Sequence, residues 1–225
     1  MEEAKIGVLM LDTTFPRLLG DIGNGLTFPF PVKYALVKGA TVDRVVKEGD
    51  PSLLQPFVEG ALTLQRQGVQ AITTSCGFLS LFQKEIEKKV NVLFYASSLI
   101  QIPFVYRLVG KRGQIGVMTA SKASLSSQHF KALGIHQIPM AVEGMDNMPE
   151  FTRCFVEGQE DMDADKVEKE VVGKAKTLVD NHPDVRAIVL ECTNMSPYKE
   201  RIKKAVNLPV FDIVSLTEFV YAALP

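Results

Sequence analysis

The stretch Ala71–Ser80, AITTSCGFLS, climbs from a β-like apolar run through two threonines and a serine to a cysteine. It then passes through Gly77 into a new apolar segment. A near copy occurs later in the chain: GVQAITTSCGFLS (68–80) lines up with DVRAIVLECTNMS (184–196), with Val, Ala, Ile, Cys and Ser in the same places. Downstream, KKVNVLFYASSL (88–99) resembles KKAVNLPVFDIVSL (203–216), and Asn91 and Asn207 stand equally far beyond their cysteines. Upstream, IGVLM from Ile6 resembles IGVMT from Ile115. Self-similarity on this scale makes the chain two halves of one design.

Each half alternates short apolar runs with helical spacing. Strands are predicted over 6–11, 69–74, 90–95, 114–118, 186–190 and 210–213. Helices are predicted over 51–67 (capped by Asp50), 79–88, 98–109 (interrupted by Pro103), 121–133, 168–181, 199–205 and 215–224. The alternation implies an α/β fold of two pseudo-symmetric lobes, each a parallel sheet flanked by helices, with lobes over 1–99 and 100–214. Ligands of such sheets bind at the carboxyl ends of the strands. If the halves face each other across a pseudo-twofold axis, both cysteines point into one cleft. The stretch 12–31, DTTFPRLLGDIGNGLTFPFP, reads as a long loop of the kind that carries function.

Bulk properties narrow the class. The chain has 225 residues, 46% hydrophobic and 23% charged, with a formal net charge of −1. That is ordinary globular composition without a basic patch, so nucleic acid is not an expected partner. No run is long enough to span a membrane, and MEEAKIGVLML lacks the basic start and cleavage site of a signal peptide, so a cytoplasmic protein is expected. Cys76, Cys154 and Cys192 are too few and too scattered for a disulfide framework, and no metal-ligand spacing occurs. The three histidines, His129, His136 and His182, read as surface residues.

A lone cysteine usually just fills space. Cys154, at helical spacing beside Phe151 and Phe155, keeps that reading. Cys76 and Cys192 each follow a β run, precede a helix start and occupy the same place in their half. A strand-to-helix turn offers free backbone N–H groups and a positive dipole end, which favour a thiolate and hold a carboxylate. One thiolate and one thiol on opposite faces can move a proton at a carbon next to a carboxylate, the N–H groups of Gly77 and Thr193 steadying the enolate. Arg17 and Asn24 are candidates to bind a substrate carboxylate or amide; equally, Arg17 ties its loop down through Asp21.

The IGV opening, TTSCG, IGVMTAS and ECTNM together resemble the aspartate/glutamate racemase superfamily, which also holds hydantoin racemases, arylmalonate decarboxylase and maleate isomerase. The resemblance covers essentially the whole chain. It implies catalytic Cys76 and Cys192, an acidic Asp12 near the first cysteine, hydroxyls of Thr119 and Ser121 near the substrate carboxylate, and Thr193 after the second cysteine. It also implies that 215–225 packs on the first lobe, that no cofactor is needed, and that the protein is a homodimer. Two positions depart from glutamate racemases: Gly77-Phe78 replaces Asn-Thr, and Asn194 replaces a histidine. With Ser75 they complete the expected substrate-binding set. Phe28, Phe30 and Phe78 suggest an apolar pocket.

The resulting expectation is a cofactor-independent amino-acid racemase acting on a small carboxylate. The alternatives are a superfamily member using one cysteine as nucleophile or proton donor, as in maleate isomerase or a decarboxylase, and a non-enzymatic binding protein.

Overall fold

The computed structural model describes residues 3–225. Two four-stranded sheets carry the chain. The first holds β1 (Ile6–Met10), β2 (Val32–Leu36), β3 (Ala71–Thr74) and β4 (Leu93–Tyr95) in the order β2-β1-β3-β4. The second holds β5 (Gln114–Thr119), β6 (Met140–Gly144), β7 (Val185–Leu190) and β8 (Val210–Phe211) in the order β6-β5-β7-β8. Every pairing is parallel, and the two orders are the same. The repeat in the sequence is thus a repeat in the fold.

The duplicated IGV has a packing cause. A Cβ on Gly7 would lie 2.9 Å from Leu64 of α1 (Leu54–Arg66), and one on Gly116 2.9 Å from Leu178 of α6 (Ala164–Asn181). In each half the bare glycine lets the main helix sit close on the central strand.

The strands missing from the sequence reading are β2 and β6. Both are sheet edges with mixed, half-exposed residues, VKYAL and MAVEG, so neither shows the apolar run of a central strand. Helix boundaries shift where side-chain caps act. Asp163 accepts from the Lys166 N–H at 3.1 Å and starts α6 at Ala164. The Ser121 hydroxyl and the Lys122 N–H donate to Asp146, and only α4 (Ser127–Ala132) of the expected 121–133 helix forms. Pro103 lies in the first turn of α3 (Ile102–Leu108), where a missing N–H costs nothing.

The last helix, α8 (Ile213–Ala223), packs on the first sheet. Ile213 and Val214 join Ile6, Val8, Ala71 and Tyr95 in one buried cluster, and the Tyr95 hydroxyl donates to Thr217 Oγ1 at 3.1 Å. Phe28 and Phe30 belong to this cluster, Phe30 stacked on Tyr221, so they are core residues and not pocket walls. His129 is buried with its ring edge on Phe78, which corrects its reading as a surface residue; burial lowers its pKa. Cys154 is buried, as its setting predicts. Among the described residues no helix is long and apolar enough to cross a membrane.

Candidate active site

Cys76 and Cys192 have the same structural address. Each is an extended residue ending a strand and opening a 3₁₀ turn, Cys76 before Gly77–Phe82 and Cys192 before Thr193–Tyr198. The ladder holds each strand up to the preceding residue: Ser75 N–H donates to Leu9 O at 2.9 Å, and Glu191 N–H to Met118 O at 2.8 Å. Leu79 N–H and Met195 N–H then return to the carbonyls of Cys76 and Cys192, both at 3.2 Å. Thr74 Oγ1 accepts from Cys76 N–H at 3.3 Å and fixes the first turn from below.

The two turns meet across the lobe boundary. Thr193 Oγ1 donates to Ser75 O at 2.8 Å, and Ser98 Oγ donates to Leu190 O at 2.5 Å. Both sulfurs consequently line one cleft, which encloses about 450 Å³ with the solvent at its mouth included. The loop 12–31 folds over it. Asn194 Nδ2 donates to Asp21 Oδ2 at 2.9 Å, Asp21 Oδ1 pairs with Arg17 at 2.8 Å, and the Arg17 guanidinium lies 4.8 Å from the Phe15 ring centre.

Eight of the twelve residues expected at the site line this cleft: Cys76, Cys192, Arg17, Ser75, Gly77, Phe78, Thr193 and Asn194. Four do not. Asp12 is exposed and accepts from Gly39 N–H at 2.9 Å, beside a separate surface depression. Asn24 holds the Arg17 carbonyl at 2.9 Å and so shapes the loop. Ser121 is bound to Asp146 at 3.0 Å. Thr119 is buried behind the cleft and donates to Glu191 Oε2 at 2.7 Å. Arg17 is paired with Asp21, as one of its two readings expects, and it also lines the cleft.

Glu191 is the polar residue that the sequence reading missed. It is fully buried, lines the cleft, and its Oε1 has no hydrogen-bond partner. A Cβ on Gly77 would collide with this carboxyl group and with the Glu191 carbonyl. The signal was present in the repeat: the residue before the cysteine is serine in one half and glutamate in the other, and the facing turn carries glycine. The remaining walls are apolar, chiefly Leu11, Phe15, Val46, Ala120 and Phe155.

The electrostatics follow from burial. Desolvation pushes Glu191 up to about 8, relieved only by its Thr119 hydrogen bond. Desolvation, helped by Glu191, pushes the Cys76 thiol up to about 12 and Cys192 well above the ordinary range. The sulfurs differ in what opposes this. Cys76 gains from the N–H groups of Phe78 and Leu79 and from Arg17. Cys192 gains from the Asn194 N–H alone, is placed to donate its proton to Asn194 Oδ1 at 3.6 Å, and is near Asp21, which raises it further. The repeat is therefore symmetric in backbone and asymmetric in chemistry. Among the described residues no group of three or more His, Cys, Asp or Glu could hold a metal ion.

No family model matches the chain. Curated relatives do. It is 31% identical over 227 residues to a dimethylsulfoniopropionate lyase of Durusdinium sp. clade D, covering 97% of this chain and 74% of that protein. It is 31% identical over 233 residues to dimethylsulfoniopropionate lyase 7 of Emiliania huxleyi, covering 99% and 68%. Among solved structures it resembles glutamate racemase from Francisella tularensis in complex with D-glutamate (TM-score 0.59, 22% identity, 99% of this chain and 81% of that one). It also resembles unliganded arylmalonate decarboxylase (0.59, 14%, 92% and 86%) and allantoin racemase from Klebsiella pneumoniae (0.58, 14%, 97% and 88%). The superfamily resemblance holds for the fold. The expectation of an amino-acid racemase, and with it the isomerase class, is overturned: the curated relatives matched over nearly the whole chain are lyases.

Proposed function

The chain belongs to the family of the dimethylsulfoniopropionate lyases, and from that membership we propose that it is a carbon–sulfur lyase acting on dimethylsulfoniopropionate or a close analogue of that small sulfonium acid. Of the readings drawn from the sequence it is nearer to the superfamily alternative with one acting cysteine, although there the cysteine is a nucleophile or proton donor and here it is a base.

The chemistry is a β-elimination. A cysteine thiolate takes a proton from C2, the carbon next to the carboxylate. The C–H electron pair becomes the C2–C3 double bond, and the C3–S bond breaks with its pair on sulfur. The products are acrylate and neutral dimethyl sulfide, with the proton left on the cysteine. A sulfonium leaves as a neutral thioether, so the step needs a base and no acid. Racemisation, in contrast, needs both. Gly77 and Thr193 N–H groups are the proposed donors to the carboxylate as enolate character develops, and Arg17 the proposed charge partner. Arg17 and the N–H groups of Phe78 and Leu79 favour ionisation of Cys76, which burial otherwise holds neutral.

The observation that carries this reading is the composition of the cleft wall. Leu11, Phe15, Val46, Phe78, Ala120 and Phe155 offer no acceptors, and Glu191 Oε1 is the lining side-chain oxygen without a partner, one acceptor where an α-ammonium group brings three N–H bonds that are costly to bury unpaired. The two S-methyl groups of a sulfonium need none, and aromatic faces stabilise such cations. The test is incubation of the purified protein with dimethylsulfoniopropionate, and separately with aspartate and glutamate. Dimethyl sulfide release with unchanged optical rotation of the amino acids is expected. Loss of rotation without dimethyl sulfide would overturn the reading.

A further inference from the structure

Glu191 is not required by the fold. The equivalent residue in the first half is Ser75, whose hydroxyl merely accepts from Leu11 N–H at 3.0 Å. In the second half a full carboxyl group is buried at the floor of the cleft, and the opposite turn gives up its side chain at Gly77 to make room. One oxygen is held by Thr119 and the other has no partner. The cation that shares the cleft, Arg17, is committed to Asp21 at 2.8 Å. A buried carboxyl group with one unpartnered oxygen, in a cleft also lined by Phe15, Phe78 and Phe155, is complementary to a cation that brings no hydrogen-bond donors of its own.

We infer that Glu191 is the counter-ion of the substrate's onium group and makes the site selective for cationic over neutral small acids. This rests on the reading of the cleft as a site for a sulfonium acid, and extends it to onium acids in general. Glu191 is neutral in the empty site and ionises as the cation enters, which its raised pKa of about 8 allows near neutral pH. The titratable and charged groups facing it are Cys76, Cys192 and Arg17, with Asp21 behind Arg17 and Asn194. The carboxylate then balances the sulfonium until C–S cleavage removes the positive charge. At that point the anionic acrylate faces a carboxylate, and its release is favoured.

The experiment compares two probes of the same shape, 3-(trimethylammonio)propionate and 4,4-dimethylpentanoate, by calorimetry on the wild-type protein and on Glu191→Gln. Wild type is expected to prefer the cationic probe by about tenfold or more, and Glu191→Gln to lose that preference while still binding the neutral probe. Equal binding of both probes to wild type, or an undiminished preference in Glu191→Gln, would overturn the inference. A second measurement covers the case in which the variant does not fold. In a protein carrying Cys76→Ser and Cys192→Ser, binding of the cationic probe near pH 7 should still release a proton, read from the buffer dependence of the enthalpy, and the neutral probe should release none. Absence of that release would also overturn it. Neither probe carries a sulfonium, so failure of the lyase reading is seen separately, as absence of dimethyl sulfide.

Discussion

Gly77 and Glu191 face each other across the lobe boundary so closely that no side chain fits at position 77. The glycine of the first cysteine turn and the glutamate beside the second cysteine are one fitted pair. Gly77→Ala is therefore expected to lower stability by about 1–3 kcal/mol through overpacking. Combining it with Glu191→Ala should recover part of the loss, because the second change removes the carboxyl atoms the first collides with and leaves the Glu191 carbonyl oxygen in place. Denaturant unfolding of the four proteins measures the coupling; additive losses would mean that the two residues do not share this space.

Elimination of a sulfonium uses one base. Each cysteine-to-serine variant should fold, and the variant that lacks the base should lose at least about a hundredfold in kcat/KM for dimethyl sulfide release. The other should retain about tenfold or more of activity over it. Equal losses would point to a mechanism that uses both sulfurs, as a two-base isomerisation does.

Arg17 faces the cleft while its guanidinium is held by Asp21 at 2.8 Å and by Thr13 at 3.1 Å. Held in this way, it meets an incoming carboxylate with little freedom left to lose. Arg17→Met should raise KM about tenfold or more, a loss of about 1.4 kcal/mol of binding, with a smaller change in kcat. Steady-state kinetics at saturating substrate separates the two.

Glu191 also makes a pH-dependent contribution to stability. Its folded-state pKa is raised from the ordinary 4.5 to about 8, so the folded protein holds a proton that the unfolded chain releases. Between those values the folded state binds more protons, and stability falls as pH rises. The contribution is fully present below about 4.5 and lost through about 8. Glu191→Gln should gain stability relative to wild type between pH 5 and pH 8, measured by denaturant midpoints at the two pH values. A constant difference would mean that the carboxyl group is ionised throughout.

Much of this was legible in the repeat. AITTSCG and AIVLECT announce two strands ending in cysteines, because buried parallel strands must be apolar and the change at their ends is abrupt. Edge strands β2 and β6 were not legible, since one exposed face lets charged residues interrupt the pattern. The loop 12–31 was recognisable as a long loop that could meet the cleft, but which of its residues face inward depends on how it folds. Arg17 lines the cleft whereas Asp12 and Asn24 do not. The phenylalanines of TFPFP looked like pocket walls because composition cannot tell which core an aromatic joins; α8, returning from the far end of the chain, covers them. Glu191 escaped because a lone glutamate before a cysteine reads as solvated, and only the missing Cβ at Gly77 shows where its carboxyl group lies. The racemase reading failed for a different reason: the fold is shared with racemases, and it is the lyase relatives matched over nearly the whole chain that overturn it.

The central claim is tested most directly by the stoichiometry of products from dimethylsulfoniopropionate. Wild-type protein should give dimethyl sulfide and acrylate in equal amounts, and the protein carrying both Cys76→Ser and Cys192→Ser, folded to the same unfolding midpoint, should give neither. Wild-type protein that leaves the sulfonium acid intact, or a double-serine variant that cleaves it at the wild-type rate, would contradict the account.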